Sequence, residues 1–409
     1  MPSIKPNRLI ADLRELAQFG KYKTGVHRPT YSSQDMESRH WIAGKYREAG
    51  LDAHIDGVGN VFGTSRSEGR KLLAGSHSES QNYAGWLDGA LGVVYALEAA
   101  RALAENPSCA GLNIEPVAWA DEETHFLSLL GSRSFTGEIG EADLEAAANA
   151  YTGQTLRDAL REAGLAGVPR TVIQPDRYIG YLEAHIEQGD SLEATNKRIG
   201  IVTGIVGIWQ YRIAFKGIQN HAGSTRMAIR RDAGVAMVHL ATKIAERFPA
   251  AADERTVWTT GDMRLDPGAA SIIPGGAEML FQIRDQDPTV LARMEALLYE
   301  LADEIEQATD CRILIEVVVK GTPALMDANF QNAFEEAAER HAPGVHARMP
   351  SGASHDAQIL ARKIPAGMLF VPSIGGISHH WTENTTDDDI VLGCRVFVDA
   401  AENILKQHA

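Results

Sequence analysis

Short apolar runs that stop at histidines and carboxylates constrain this chain more than any other feature. Lys71-Leu-Leu-Ala-Gly-Ser-His77 is one, Ile114 to Ala120 ending at Asp121-Glu122-Glu123 is a second, and Tyr178 to His185 is a third. Runs with so little polar alternation read as buried strands. Longer segments lie around them. Gly89 to Asn106 reads as a largely buried helix with Asp88 at its N-cap, and residues 137–174 read as a surface helical pair with Thr155 as a cap. Upstream come two helices, the first with Leu9, Leu13 and Leu16 on one face and the second ending before Gly50, then a hairpin-like stretch through Gly57, Gly59 and Asn60. Strands alternating with helices make an α/β layer architecture.

The middle of the chain follows a different rhythm. A strand at Trp209–Gly217, a helix around Ile229–Arg247, strands near Thr256–Leu265 and Glu278–Arg284, a helix Pro288–Ala308 and a strand Arg312–Lys320 give the order β-α-β-β-α-β. A chain of 409 residues exceeds the roughly 250–300 residues over which one core keeps growing. We therefore expect a discontinuous catalytic domain, residues 1–208 and 324–409, with residues 209–323 inserted as a second domain.

Composition narrows the chemistry. With 39 Lys and Arg against 54 Asp and Glu, the formal charge is −15, the wrong sign for tracking a phosphate backbone, so no nucleic-acid partner is expected. No run of 18 apolar residues could span a bilayer, and the opening MPSIKPNRLIADLREL lacks the apolar stretch of a secretory signal, so a cytoplasmic location is expected. Cys109, Cys311 and Cys394 are far apart and odd in number, which leaves no disulfide framework and no CxxC motif. Any metal must be held by His, Asp and Glu.

Those residue types gather at strand ends, where α/β sheets place their ligands. In order they are His77 (GSHSES), Asp88 (LDGALG), Glu122 and Glu123 (DEE), His185 (EAHIEQG) and His379-His380 (GGISHHWTEN). Taken singly, a strand-end histidine is more often structural, and an acidic triplet is more often a solvated patch. Together, histidines and carboxylates without thiolates suit Zn²⁺, with Mn²⁺, Co²⁺ or Ni²⁺ as alternatives.

The ordered series GSHxxS, DGALG, EE, E-x-HIEQG, HAGSTRM, IPGG, FQIRD, SGASHDAQ and VPSIGGISH resembles the amidase branch of the M20 metallopeptidase superfamily. That branch contains N-carbamoyl-L-amino-acid hydrolases, β-ureidopropionases and allantoate amidohydrolases. The resemblance implies a two-domain fold, a mixed-sheet α/β catalytic domain with an inserted lid and dimerisation domain, and hence a homodimer. It implies two divalent ions per subunit bridged by Asp88, with His77 and His185 completing one ion's ligands and Glu123 and His379 the other's; His380 is the substitute for His379. A shared carboxylate brings two cations to about 3.5–4 Å. Glu122 would be the general base, facing away from Glu123 as neighbours in an extended segment do, and Glu79 would stand where the family has the Asp that orients the first histidine. Gln188, His221 and Arg284 would recognise the substrate, His221 by stabilising an oxyanion and Arg284 by forking onto a carboxylate. From its residues alone, Arg284 also reads as half of an ion pair with Asp285 or Asp287.

Departures from the family pattern fall in the recognition residues. Ser271 replaces an Asn that helps hold the carboxylate, Arg226 replaces Pro, Ser354 replaces Gly, and Thr124-His125-Phe126 replaces Gly-x-Arg-Phe. The expected activity is hydrolysis of a small linear amide, first an N-carbamoyl-L-amino acid to amino acid, CO₂ and ammonia. The same catalyst acting on an N-acyl amino acid or another amide is the second expectation. A catalytically silent binding protein is the third, opposed by the presence of every implied ligand and the base.

Overall fold

A computed structural model describes residues 2–408. The chain forms two compact units, one made of the residues up to Ile205 and from Leu325 onward, the other spanning Val206–Ala324.

The first unit is built on a mixed sheet of nine strands. From one edge inward its order is Asp52–Ile55, Val61–Thr64, Ile114–Trp119, Lys71–His77, Tyr178–Ile186, Ala366–Val371, Ile199–Ile205 and the short Ala324–Leu325, and His346–Ser351 also pairs with Ile199–Ile205. Four strands run parallel at its centre, Ile114–Trp119, Lys71–His77, Tyr178–Ile186 and Ala366–Val371. Every residue in them is buried, as runs without polar alternation require. Parallel pairing carries their C-terminal ends to the same edge of the sheet. His185, the DEE segment and the chain leading to His379 therefore meet beyond that edge, next to His77.

Helix Ala90–Ala104 packs against Lys71–His77 and Ile114–Trp119, and helix Asp387–Gln407 packs on it and on helix Ala328–His341. Asp88 does not cap the first of these. The cap position is Gly89, at φ +64° and without a side-chain hydrogen bond, because the Asp88 carboxylate is turned toward histidines. The pair Glu141–Ala146 and Leu156–Glu162 also differs from expectation. Thr155 does cap the second helix, but Leu144, Leu156 and Leu160 bury themselves with Val58 and Leu130 in a small core of their own.

The second unit is a four-stranded antiparallel sheet ordered Val257–Asp266, Gly276–Asp285, Gly207–Lys216, Arg312–Lys320. The third strand of the unit sits between the first and second, which is what splits the β-α-β pattern. Trp209, Tyr211, Ile213 and Phe215 alternate inward into a core with Leu240, Phe248 and Leu298 from helices Ala233–Ala251 and Pro288–Thr309. The first helix starts four residues later than the periodicity suggests, because Asp232 accepts the amides of Gly234 and Val235 and fixes the start there. No helix among the described residues is long and apolar enough to cross a membrane.

Candidate metal centre

The first unit gathers His77, Asp88, Glu122, Glu123, His185 and His379 into three overlapping ligand groups. Asp88 lies at their centre. Its Oδ1 is 3.3 Å from His77 Nε2 and 3.1 Å from His185 Nε2, while its Oδ2 is 3.4 Å from His379 Nε2. Glu123 Oε1 stands 3.6 Å from the same His379 nitrogen. Donor atoms bonded at about 2.0–2.1 Å in a tetrahedral shell lie about 3.3 Å apart, so these spacings fit a cation between the members of each group.

Local structure aims each group inward. His185 Nδ1 donates to the Ile186 carbonyl at 2.9 Å and His77 Nδ1 to the Glu79 carbonyl at 3.1 Å, the assignment that satisfies both rings. His77 Nε2 is left facing Asp88, and His185 Nε2 faces Asp88 while also accepting the Gly89 amide at 3.0 Å. Gly89 allows the approach: a Cβ there would sit 2.4 Å from the His77 ring. His379 holds φ +55°, and Asp121 and Thr124 flank the Glu122-Glu123 pair at +57° and +61°; such left-handed non-glycine residues concentrate at functional sites.

The donor set itself calls for cations. Glu123 Oε1 is buried without a hydrogen-bond partner, a costly state for a carboxylate unless something positive meets it. Gln188 Nε2 donates to both Asp88 Oδ2, at 3.0 Å, and His379 Nε2, at 3.1 Å, so an electropositive edge lies against the acceptors of the second group. Burial drives the Glu122 carboxyl well above the usual carboxylate range, with Glu123, Asp356 and Asp88 adding to it against His77. Burial likewise raises Glu123, with Asp88 next. Asp88 goes the other way: burial opposes its charge, but His185, His379 and His77 outweigh burial and hold it well below its ordinary value.

Two sequence expectations need correction in detail. Glu122 and Glu123 lie in a turn and not in an extended segment, and both reach one group with His77. Glu79 does not orient His77 with its carboxylate, which is 3.8 Å from Nδ1. The longer side chain instead accepts the Glu122 amide at 2.7 Å and the Arg39 guanidinium at 2.7 Å, and its own carbonyl takes over the histidine. Of the paired histidines, His379 joins the cluster, while His380 turns its Nδ1 to Thr382 Oγ1 at 2.7 Å.

Arg39 is wholly buried between Asp35 and Glu79 and also holds the Gly59 and Trp119 carbonyls. Replacing it with Met strands two buried carboxylates. We expect a loss of about 3–5 kcal/mol in urea unfolding; a change under about 1 kcal/mol would show that water or rearrangement compensates.

The remaining expected residues lie in the second unit. His221 Nδ1 accepts the amides of Gly223 and Ser224, both at 3.1 Å, which leaves Nε2 to carry the proton. The Ser271 carbonyl accepts the Ala222 amide at 3.0 Å, so Ser271 and His221 adjoin one short ladder. Arg284 Nη2 donates to Gln282 Oε1 at 3.3 Å. Asp285 is engaged by Thr256 and the Asp287 amide, and Asp287 by Thr289.

Sequence reasoning passed over Gln81, Ser378 and Glu383. Gln81 Nε2 donates to the Glu123 carbonyl and carboxylate at 2.8 and 3.0 Å. Ser378 Oγ reaches Asp88 Oδ2 at 3.2 Å. Only the position of Ser378 directly before His379 offered a signal. His125, in the altered segment, is buried against Thr30 and Asp121 with Nε2 unpartnered.

The family model for peptidase family M20/M25/M40 matches residues 50–403. The chain belongs to this family. It is 33% identical over 405 residues to an N-carbamoyl-L-amino acid amidohydrolase of Geobacillus stearothermophilus, covering 96% of this chain and 97% of that one. It is 32% identical over 391 residues to an allantoate amidohydrolase of Bacillus subtilis (strain 168), covering 94% of each. Among solved structures, an amidase of the hydantoinase/carbamoylase family from Burkholderia phymatum superposes with a TM-score of 0.94 at 47% identity over the full length of both chains. This M20 chain is thus an amidohydrolase of the carbamoylase and allantoate branch, acting on C–N bonds other than peptide bonds. The M20 family is metal-dependent, and the histidine and carboxylate groups described above supply matching ligands.

Proposed function

We propose that the chain hydrolyses an N-carbamoyl-L-amino acid to the amino acid, CO₂ and ammonia, using two divalent ions, Zn²⁺ as first choice with Mn²⁺, Co²⁺ or Ni²⁺ as alternatives. The observation that supports this most is the division of Asp88, one oxygen toward His77 and His185 and the other toward His379. In this reading His77, Asp88 and His185 hold one ion, and Asp88, Glu123 and His379 the other. Bound there, the ions would polarise the scissile carbonyl and acidify a water.

The chain's own groups supply the rest. Glu122, whose carboxyl favours the protonated form more than an ordinary carboxyl does, takes a proton from the attacking water and passes it to the leaving nitrogen. His221 donates Nε2–H to the oxygen that gains charge, and Arg284 binds the substrate carboxylate with its planar fork. Gln188 orients the substrate through its amide, displaced from its contacts with Asp88 and His379. Ser271 lies next to His221 in this recognition set. We further propose a homodimer joined through the second unit, where Val257, Met263 and Leu265 on the edge strand Val257–Asp266 are exposed.

One observation favours a second reading. His125 stands two residues from Glu123 where the family has a nearby Arg, so the surroundings of the ligands carry one guanidinium fewer, and an N-acyl amino acid would then be the substrate. Metal-replete protein assayed against N-carbamoyl and N-acyl series sharing the same side chains, and against allantoate, separates these. We expect kcat/KM to be at least about tenfold higher for the carbamoyl series, a difference of about 1.4 kcal/mol in transition-state binding. The reverse preference would assign a deacylase, and no turnover with metal bound would end the proposal. A solution mass of one chain in the same preparation would remove the dimer.

A further inference from the structure

Glu383 is a buried acid that the proposed chemistry does not use. It is 1% exposed, and it sits in the polar stretch Trp381-Thr-Glu-Asn-Thr385, four residues beyond His379. Its Oε1 accepts two successive backbone amides, Leu87 at 3.3 Å and Asp88 at 3.1 Å. Ser378 Oγ lies 3.4 Å from its Oε2 and 3.2 Å from Asp88 Oδ2, so one hydroxyl stands between the two carboxylates. The chain turns back on itself here, with the Glu383 amide donating to the His380 carbonyl at 2.9 Å.

The opposite wall is shaped to receive this side chain. A Cβ at Gly85 would lie 1.9 Å from the Glu383 carboxylate, so only glycine lets the segment leading to Asp88 close over it. The ligands also differ in how they are held. His77 and His185 belong to strands of the central sheet, whereas His379 stands in a loop with a left-handed backbone and a side chain 47% exposed. The Gln188 amide touches both the His379 imidazole and Asp88, but no strand of the sheet carries the His379 backbone.

We infer that Glu383 is a positioning residue that ties the Asp88 turn to the His379 loop and thereby sets the affinity of the Asp88–Glu123–His379 group, while leaving the His77–Asp88–His185 group to the sheet. The two amides need an acceptor oxygen, not a charge. This inference rests on the two-ion reading proposed above.

The test is titration of metal-free protein with Co²⁺, followed by its absorption bands and by calorimetry, for the parent, Glu383→Ala and Glu383→Gln. Removing a group that orients metal ligands costs about 10–100-fold in metal affinity. We expect Glu383→Ala to weaken one of two binding steps by that factor and to leave the other unchanged, and Glu383→Gln, which keeps an acceptor oxygen, to titrate like the parent. Should Glu383→Ala not fold, Glu383→Asp withdraws the carboxylate by one methylene and should weaken the same step alone. Equal weakening of both steps in the Ala or Asp variant would mark a merely structural role and overturn the assignment. So would parental titration of the Ala or Asp variant, or a Gln variant as weak as Ala. A parent protein that takes up no Co²⁺ overturns the two-ion reading itself, a result distinguishable from any of these.

Discussion

Glu122→Gln should lower kcat by at least about 10²–10⁴-fold, the usual contribution of a positioned acid–base group, while metal content and KM stay close to the parent's. The side chains are nearly the same size, and Gln can still donate and accept hydrogen bonds. It cannot take a proton from water and return it to a leaving nitrogen. The metal should remain because the two proposed ion groups, His77–Asp88–His185 and Asp88–Glu123–His379, do not include Glu122. The backbone should remain in place because the Glu122 amide is held by Glu79, which the substitution leaves intact. Assays with substrate near and well above KM, alongside elemental analysis of the same sample, provide the check. Undiminished turnover would remove Glu122 as the base, and loss of metal together with activity would make it a ligand.

Asp88→Ala should have the opposite signature. Both ion groups lose an oxygen at once, and His77, His185 and His379 lose the carboxylate that they share. We expect the protein to retain well under one ion per chain and to lose kcat/KM by more than about 10⁴-fold, since without ions neither water activation nor carbonyl polarisation remains. The fold should survive, because helix Ala90–Ala104 takes its cap from Gly89 and not from the Asp88 side chain. Circular dichroism and metal analysis of the purified variant decide the matter. Full metal occupancy in Asp88→Ala would rule out a bridging role.

What could be read in the sequence and what could not divide along physical lines. His77, His185 and the DEE segment were legible because each ends an unbroken apolar run, and parallel pairing collects such ends on one edge of the sheet. The second unit was legible because Trp209, Tyr211, Ile213 and Phe215 alternate inward with period two. Asp88 as a helix cap was misleading. The pattern before an apolar helix is the same whether a carboxylate turns back to the first amides or away toward histidines, and only the histidines' positions decide. Glu79 illustrates a second limit, since one extra methylene moves a carboxylate from an imidazole to a neighbouring amide and a buried guanidinium. Glu383 and Gln81 lie in polar stretches that read as solvated loop; their partners are 295 and 42 residues away in sequence. No local periodicity records contacts at that range.

Strand Ala366–Val371 lies between Tyr178–Ile186 and Ile199–Ile205, which has a consequence for biosynthesis. Two strands must leave a gap that a segment made about 180 residues after Ile186 fills. At about 5–20 residues per second, the ribosome delivers that segment roughly 10–40 s after Ile186. During that interval the edge of Tyr178–Ile186 that will pair with it presents unsatisfied amides and carbonyls, the kind of edge that invites pairing with the wrong chain. A nascent chain of this design gains from a chaperone, or from slow release, until Ala366–Val371 emerges. His379 follows this strand by eight residues, so the ligand set is incomplete until the strand has been made.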